Sequence, residues 1–287
     1  MFNKIFITLF VVIILSACVD SRDLSQNIVV AHISSNPDGL HPYNDNSVMR
    51  SFIFEHTQKT LIKLDVSSLE YIPSLVKSLP EISEDGLLYH YELREDVKWD
   101  DGSELTAKDI EFTTKLQLCP LTDNANVRGN YSSVIKDIIL YPNEPKKFTM
   151  LAFGKNITNA NIFSEIYIQQ KSHWDKEGIL DDLTFQNIHS VNFQEKKEWS
   201  DWFNAFNHGD NRYQPDRLVG LGPYQISEWE SGSYIIASRK DNWWGDNDTL
   251  IYNQNYPEQI IFKIITDDAS VFLSLKSQGL DATNRVG

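Results

Sequence analysis

Residues Gly220 to Gly245, GLGPYQISEWESGSYIIASRKDNWWG, restrict the fold more than any other stretch of the chain. Gly220 and Gly222 can take positive φ and Pro223 fixes the next backbone step, so a sharp turn is expected there. Tyr224, Ile226 and Glu228 alternate with Gln225, Ser227 and Trp229, the period of a half-buried strand. Glu230-Ser231-Gly232-Ser233 is turn chemistry, and Tyr234 to Ser238 reads as the returning strand of a hairpin. Trp243 and Trp244 then bring two large aromatic rings up to a second flexible turn at Gly245.

A second informative block runs from Leu93 to Asp109. Leu87, Tyr89, Tyr91 and Leu93 share one face of a strand just before it. Asp101-Gly102 predicts a tight turn, and Thr106 with Asp109 forms a pair suited to capping a helix. Phe112, Leu116 and Cys119 follow at helical spacing, and Pro120 stops the helix.

These two blocks carry a resemblance. Gly220, Gly222, Pro223, Tyr224, Trp229, Arg239, Trp244 and Gly245, together with Trp99, Asp101 and Gly102, match the motifs of family 5 extracellular solute-binding proteins, the oligopeptide, dipeptide and nickel receptors of ABC importers. Lys240-Asp241-Asn242 departs from the Asn-Pro-Asp that the family more often carries. The segment at Pro37, Leu40 and Pro42 and the one from Ile264 to Asp281 are also similar to family blocks. The resemblance implies an α/β fold: a periplasmic-binding-protein type II-like lobe, with a mixed sheet and flanking helices, plus an inserted α+β subdomain. Family members continue into a second lobe, so the chain is expected to be a fragment that lacks it. Residues 28–48 and 216–287 are assigned to the first lobe and 49–215 to the insert.

The first residues are read apart from the fold. Lys4 and the apolar run from Ile5 to Leu15 make residues 1–17 a signal peptide, too short to span a membrane. Leu15-Ser16-Ala17-Cys18 resembles the lipobox of bacterial lipoproteins, which makes Cys18 the lipid attachment site and residues 18–27 a polar tether. Anchoring by two or more acyl chains is stable where one is marginal. Cys119 is then left without an intrachain partner and is expected to be a buried structural thiol.

Composition sets the remaining limits. The 287 residues carry a net charge of −14 with 41% hydrophobic and 12% aromatic content, which describes a globular chain and excludes a phosphate-binding basic surface, hence no nucleic-acid partner. The seven histidines show no i, i+4 pairing; with no His-Glu-x-x-His, no Gly-x-Ser-x-Gly and no metal-spaced cysteines, the sequence points away from an enzyme and from a resident cofactor or metal.

Between the blocks the reading is coarser. Ile28 to Ile33 predicts a strand ending in a dense turn, and Ser47 caps a helix expected to run from Met49 to about Leu61. Strands are expected over 134–140, 148–153 and 259–265, and helices over 161–168 and 269–278, the last followed by Gly279. Residues 185–215, with Trp199, Trp202, Phe203 and Phe206, show little periodicity and read as a surface excursion. The family implies that the residues ending the first strand, Ile33, Ser34 and Ser35, offer backbone contacts to a ligand. Its partners would be a peptide or other small solute, an ABC permease complex and, through the lipid anchor, the membrane of a bacterial cell envelope, with the protein a monomer facing the periplasm or exterior. A sensory or adhesive lipoprotein that kept the fold, and a lipoprotein hydrolase, stay open as alternatives.

Overall fold

A computed structural model describes residues 26–43, 47–214, 217–248, 250 and 253–283. Signal-peptide and lipid-attachment expectations, Cys18 included, lie outside these residues. Strand β1 (Ile28–Ile33) leads to helix α1 (Val48–Thr57), the hairpin β2 (Ile62–Asp65) and β3 (Glu70–Pro73), then β4 (Glu81–Ile82), β5 (Leu88–Glu92) and helix α2 (Ala107–Leu118). Helix α3 (Ala125–Ser132) precedes β6 (Ile135–Leu140) and β7 (Lys147–Ala152). Helices α4 (Asn159–Ser164), α5 (Lys171–Trp174), α6 (Phe185–Ile188) and α7 (Lys197–Phe206) follow, and β8 (Tyr224–Glu230), β9 (Tyr234–Arg239), β10 (Gln259–Ile264) and α8 (Asp268–Lys276) complete the described chain.

Two four-stranded sheets result. The first has the order β1-β10-β9-β8, with β1 parallel to β10 and the other pairs antiparallel. Its hairpin is the one expected at 224–239, with Gly232 at φ +77° in the turn, but a bulge between Ile226 and Glu228 breaks the expected alternation, so that Trp229 rather than Glu228 packs with Tyr224 and Ile226. Met49, Ile53 and Phe54 of α1 pack on one face against Tyr224, Ile226, Ile235 and Phe262. Burying each such side chain contributes about 1.5–3 kcal/mol, which fixes the helix to the sheet. The opposite face meets α8 through Val271, which packs with Val30 and Leu280.

The second sheet, in the order β4-β5-β7-β6, is antiparallel throughout. Tyr89 and Tyr91 of β5 turn inward, and Tyr91 stacks on Phe148 with centroids 5.0 Å apart. Helix α2 closes this core with Ile110, Phe112 and Leu116, and starts where the Thr106 amide donates to Asp109 Oδ2 at 2.9 Å. The carboxylate thus satisfies a donor that a helix start otherwise leaves unpaired. Cys119, at the end of α2, is fully buried and forms no disulfide.

Three sequence expectations are corrected here. The segment expected as a surface excursion contains α7, whose Trp199, Phe203 and Phe206 fall at i, i+4 and i+7 and lie in the core. The period was present, and flanking polar residues masked it. Helix α1 ends at Thr57 rather than near Leu61, because residues 57 and 58 turn out to meet the Gly220–Gly222 loop. At the end of α8 the left-handed residue is Gln278 (φ +60°), with Gly279 one place beyond, its amide donating to Ser274 O at 2.8 Å. This is a Schellman ending with glutamine in the position glycine usually takes. No helix among the described residues is long and apolar enough to cross a membrane.

Candidate functional site

The motif residues meet at the seam between the two sheets. A Cβ on Gly220 would sit 2.1 Å from Thr57 O, and one on Gly222 2.3 Å from His56 O. Neither glycine takes a positive φ, so the expected reason for them is replaced by another: the loop lies directly on the end of α1. Gly245 follows the same rule, since a Cβ there would lie 2.3 Å from the Trp243 ring. The Gly222 amide donates to Thr57 O at 3.0 Å. Indole N–H groups of Trp243 and Trp244 both donate to Leu221 O at 2.9 Å.

From that loop the contacts reach the second block. The Lys240 ammonium donates to Gly220 O at 2.6 Å and pairs with Asp100 at 2.8 Å. Burial lowers its pKa, and the Asp100 charge opposes the shift. Arg94 pairs with Asp248 at 2.7 Å and lies over the Trp244 ring at 5.2 Å. Asp248 accepts from Asn253 at 3.0 Å, and Asn253 in turn accepts from Lys59 at 2.8 Å. Burial first, and the Lys63 charge next, bring Lys59 down to about 7. Gly102 takes φ +82° in the predicted turn, where Asp101 accepts from the Ser103 amide and from Gln170. Trp99 is buried, Tyr224 donates to Pro257 O, and Trp229 Nε1 donates to Asn36 at 3.3 Å. Of these contacts, Lys240 with Asp100 and Arg94 with Asp248 join the segment after the Gly220–Gly222 loop to the second block. Lys240, which departs from the family pattern, and Lys59 had no signal of these contacts in the sequence.

The other expected residues lie at the far end of β1. Ile33 packs in the core and its carbonyl accepts from Ile265, so neither its side chain nor its oxygen faces outward. Along the outer edge, the Val30 amide donates to Asp281 Oδ2 and the His32 amide to Ala282 O. The next amide on that edge belongs to Ser34, which donates to the Met49 sulfur at 3.3 Å. A thioether is a weak acceptor. Ser35 is exposed, with no hydrogen-bond partner among the described residues. Asn36 ties the following turn to the hairpin by accepting from Trp229 and from the Gly232 amide. Beyond β1 the chain bends at Ser34 and Ser35, with the Ser34 amide and hydroxyl against the Met49 sulfur and Ser35 exposed.

A family model described as bacterial extracellular solute-binding proteins, family 5 Middle, matches residues 70–287. The chain belongs to this family. All the family 5 motif residues from Trp99 to Gly245 fall inside the match, and Ile33, Ser34 and Ser35 precede it. The oligopeptide-binding protein AppA of Bacillus subtilis is 25% identical over 248 residues, covering 86% of this chain and 38% of its own length. The dipeptide-binding protein of Escherichia coli is 26% identical over 226 residues, covering 74% of this chain and 35% of its own length. The solved structure of AppA with a nonapeptide aligns with a TM-score of 0.64 at 20% identity, over 88% of this chain and 43% of that one. OppA of Burkholderia pseudomallei aligns with a TM-score of 0.67 at 15% identity, over 91% and 46%. The chain thus spans less than half the length of these family 5 relatives, and its fold is that of a lobe of a type II periplasmic binding protein.

Proposed function

We propose that this family 5 chain contributes one wall of a peptide-capture cleft serving an ABC importer, and that it acts by binding rather than by catalysis. The observation that carries the proposal is the family match over residues 70–287, joined to relatives named for binding oligopeptides and dipeptides. The edge at Ser34 and Ser35 supports it physically. Main-chain donors at a strand edge recognise an extended peptide whatever its side chains, which suits a receptor for varied cargo. An opposing lobe would bury the peptide and favour the closed state through contacts to both walls.

In this reading the protein is a monomer tethered at Cys18 by acyl chains, facing the periplasm or exterior, with a permease complex as its partner. The test is uptake of a labelled oligopeptide in the host. Deleting the gene should abolish uptake, the wild-type gene should restore it, and Ser34→Pro, which removes the edge amide, should restore it poorly. Uptake unchanged by the deletion refutes the reading. Cys18→Ala should move the protein from the membrane to the soluble fraction, and retention at the membrane would refute the anchor.

A further inference from the structure

A large cavity lies away from that edge. It measures about 970 Å³ and opens between the last turn of α1, the hairpin β2–β3 and the segment after α4. Ser34 meets Met49 in the first turn of α1 and the cavity begins at Glu55, so the two are separated by about 9 Å along the helix at 1.5 Å rise per residue. Ile62 and Leu64 give it apolar walls, and Tyr71, Tyr167, Glu55 and Glu165 are among the residues that line it.

The charges around it are unequal in their freedom. Glu55 is held by Lys63 at 2.9 Å. Asp65 is spent on the hairpin turn, accepting from the Ser67 amide and the Ser68 hydroxyl. Lys59 lines the cavity too; its ammonium donates to Asn253 and lies over the Trp243 ring at 5.3 Å, and burial brings it down to about 7, which weakens its repulsion of a cation. Glu165 is the carboxylate left over: among the described residues it accepts from the Tyr71 hydroxyl at 3.2 Å and pairs with no cation. Burial first and then acidic neighbours, Glu165 for Tyr71 and Glu55 for Tyr167, raise both phenol pKa values, so the rings stay neutral. A half-open cavity with apolar walls, two neutral phenol rings and an exposed carboxylate that pairs with no cation among the described residues suits an organic cation.

We propose that this cavity binds a small alkylammonium ion, with Glu165 taking the charge and Tyr71 and Tyr167 framing the alkyl group. The site is independent of the peptide edge and of the reading built on it. The test is saturation-transfer NMR on the full chain with butylammonium chloride, against butan-1-ol and sodium butyrate at the same concentration. Butylammonium should saturate, and the alcohol and the carboxylate should not. Glu165→Gln and Tyr167→Leu should each weaken the ammonium by about fivefold or more, the size of a modest charge or ring contact, with the unfolding midpoint checked for both. A parallel titration with Nα-acetyl-lysine amide shows whether the same cation is also accepted from a peptide side chain. Equal saturation by butan-1-ol, absence of saturation by butylammonium, or an unchanged affinity in a folded Glu165→Gln variant would each overturn the proposal.

Discussion

Gly222→Ala isolates the close contact between the Gly220–Gly222 loop and the end of α1. Its Cβ would lie 2.3 Å from His56 O, 2.5 Å from Thr57 C and 2.8 Å from Thr57 Cα, all backbone atoms that no rotamer change can move. Ordinary contact begins near 3.4 Å, so one segment must retreat by about 1 Å. Overpacking of this kind costs about 1–3 kcal/mol. The retreat also breaks the 3.0 Å bond from the Gly222 amide to Thr57 O, worth about 1 kcal/mol. The expected loss is about 2–4 kcal/mol, a fall in unfolding midpoint of roughly 4–16 °C for a chain of this size. Gly129→Ala is the matched control: it sits within α3 with nothing within 4 Å of a Cβ, so alanine there should stabilise by about 0.5–1 kcal/mol. Urea unfolding followed by circular dichroism and by tryptophan fluorescence measures both. A Gly222→Ala variant within about 0.5 kcal/mol of wild type, or one that costs no more than Gly129→Ala, would refute the close-approach argument.

Two further outcomes follow from the buried groups. Lys59 has a folded pKa of about 7, below its ordinary value, so the unfolded chain binds more protons between the two and stability should rise with pH across that interval. Lys59→Met should flatten this part of the profile in urea midpoints measured from neutral to alkaline pH, and an unchanged slope would contradict the assignment. Cys119 is fully buried and burial pushes its thiol up to about 12, so it should resist a thiol reagent in the native protein at mildly alkaline pH and react on unfolding; rapid native labelling would count against it.

What could be read from the sequence was local. The 224–239 hairpin, the Asp101-Gly102 turn and the Thr106–Asp109 cap each depend on residues a few positions apart, and all three formed as expected. Reasons that depend on distant residues were not legible. Gly220 and Gly222 are glycines because of Thr57 and His56, more than 150 positions earlier, and sequence alone offered only positive φ as their motive. Lys240 finds Asp100 and Lys59 finds Asn253 across similar separations. Helix α7 was not legible despite the i, i+4, i+7 spacing of Trp199, Phe203 and Phe206, because the polar residues around them masked the period. At the candidate edge, Ile33 to Ser35 could be placed by resemblance, but the sulfur of Met49 beside the Ser34 amide could not.

The parallel pairing of β1 with β10 fixes when this fold can be completed. β1 leaves the ribosome early, and its partner follows roughly 230 residues later, an interval of roughly 12–46 s at ordinary rates of synthesis. Until then the hydrogen-bonding edge of β1 that β10 will occupy has nothing to join, while β5 to β7 and the β8–β9 hairpin need only near neighbours. A chain threaded outward amino terminus first would carry its opening strand through unpaired, and the first sheet would close only on the far side.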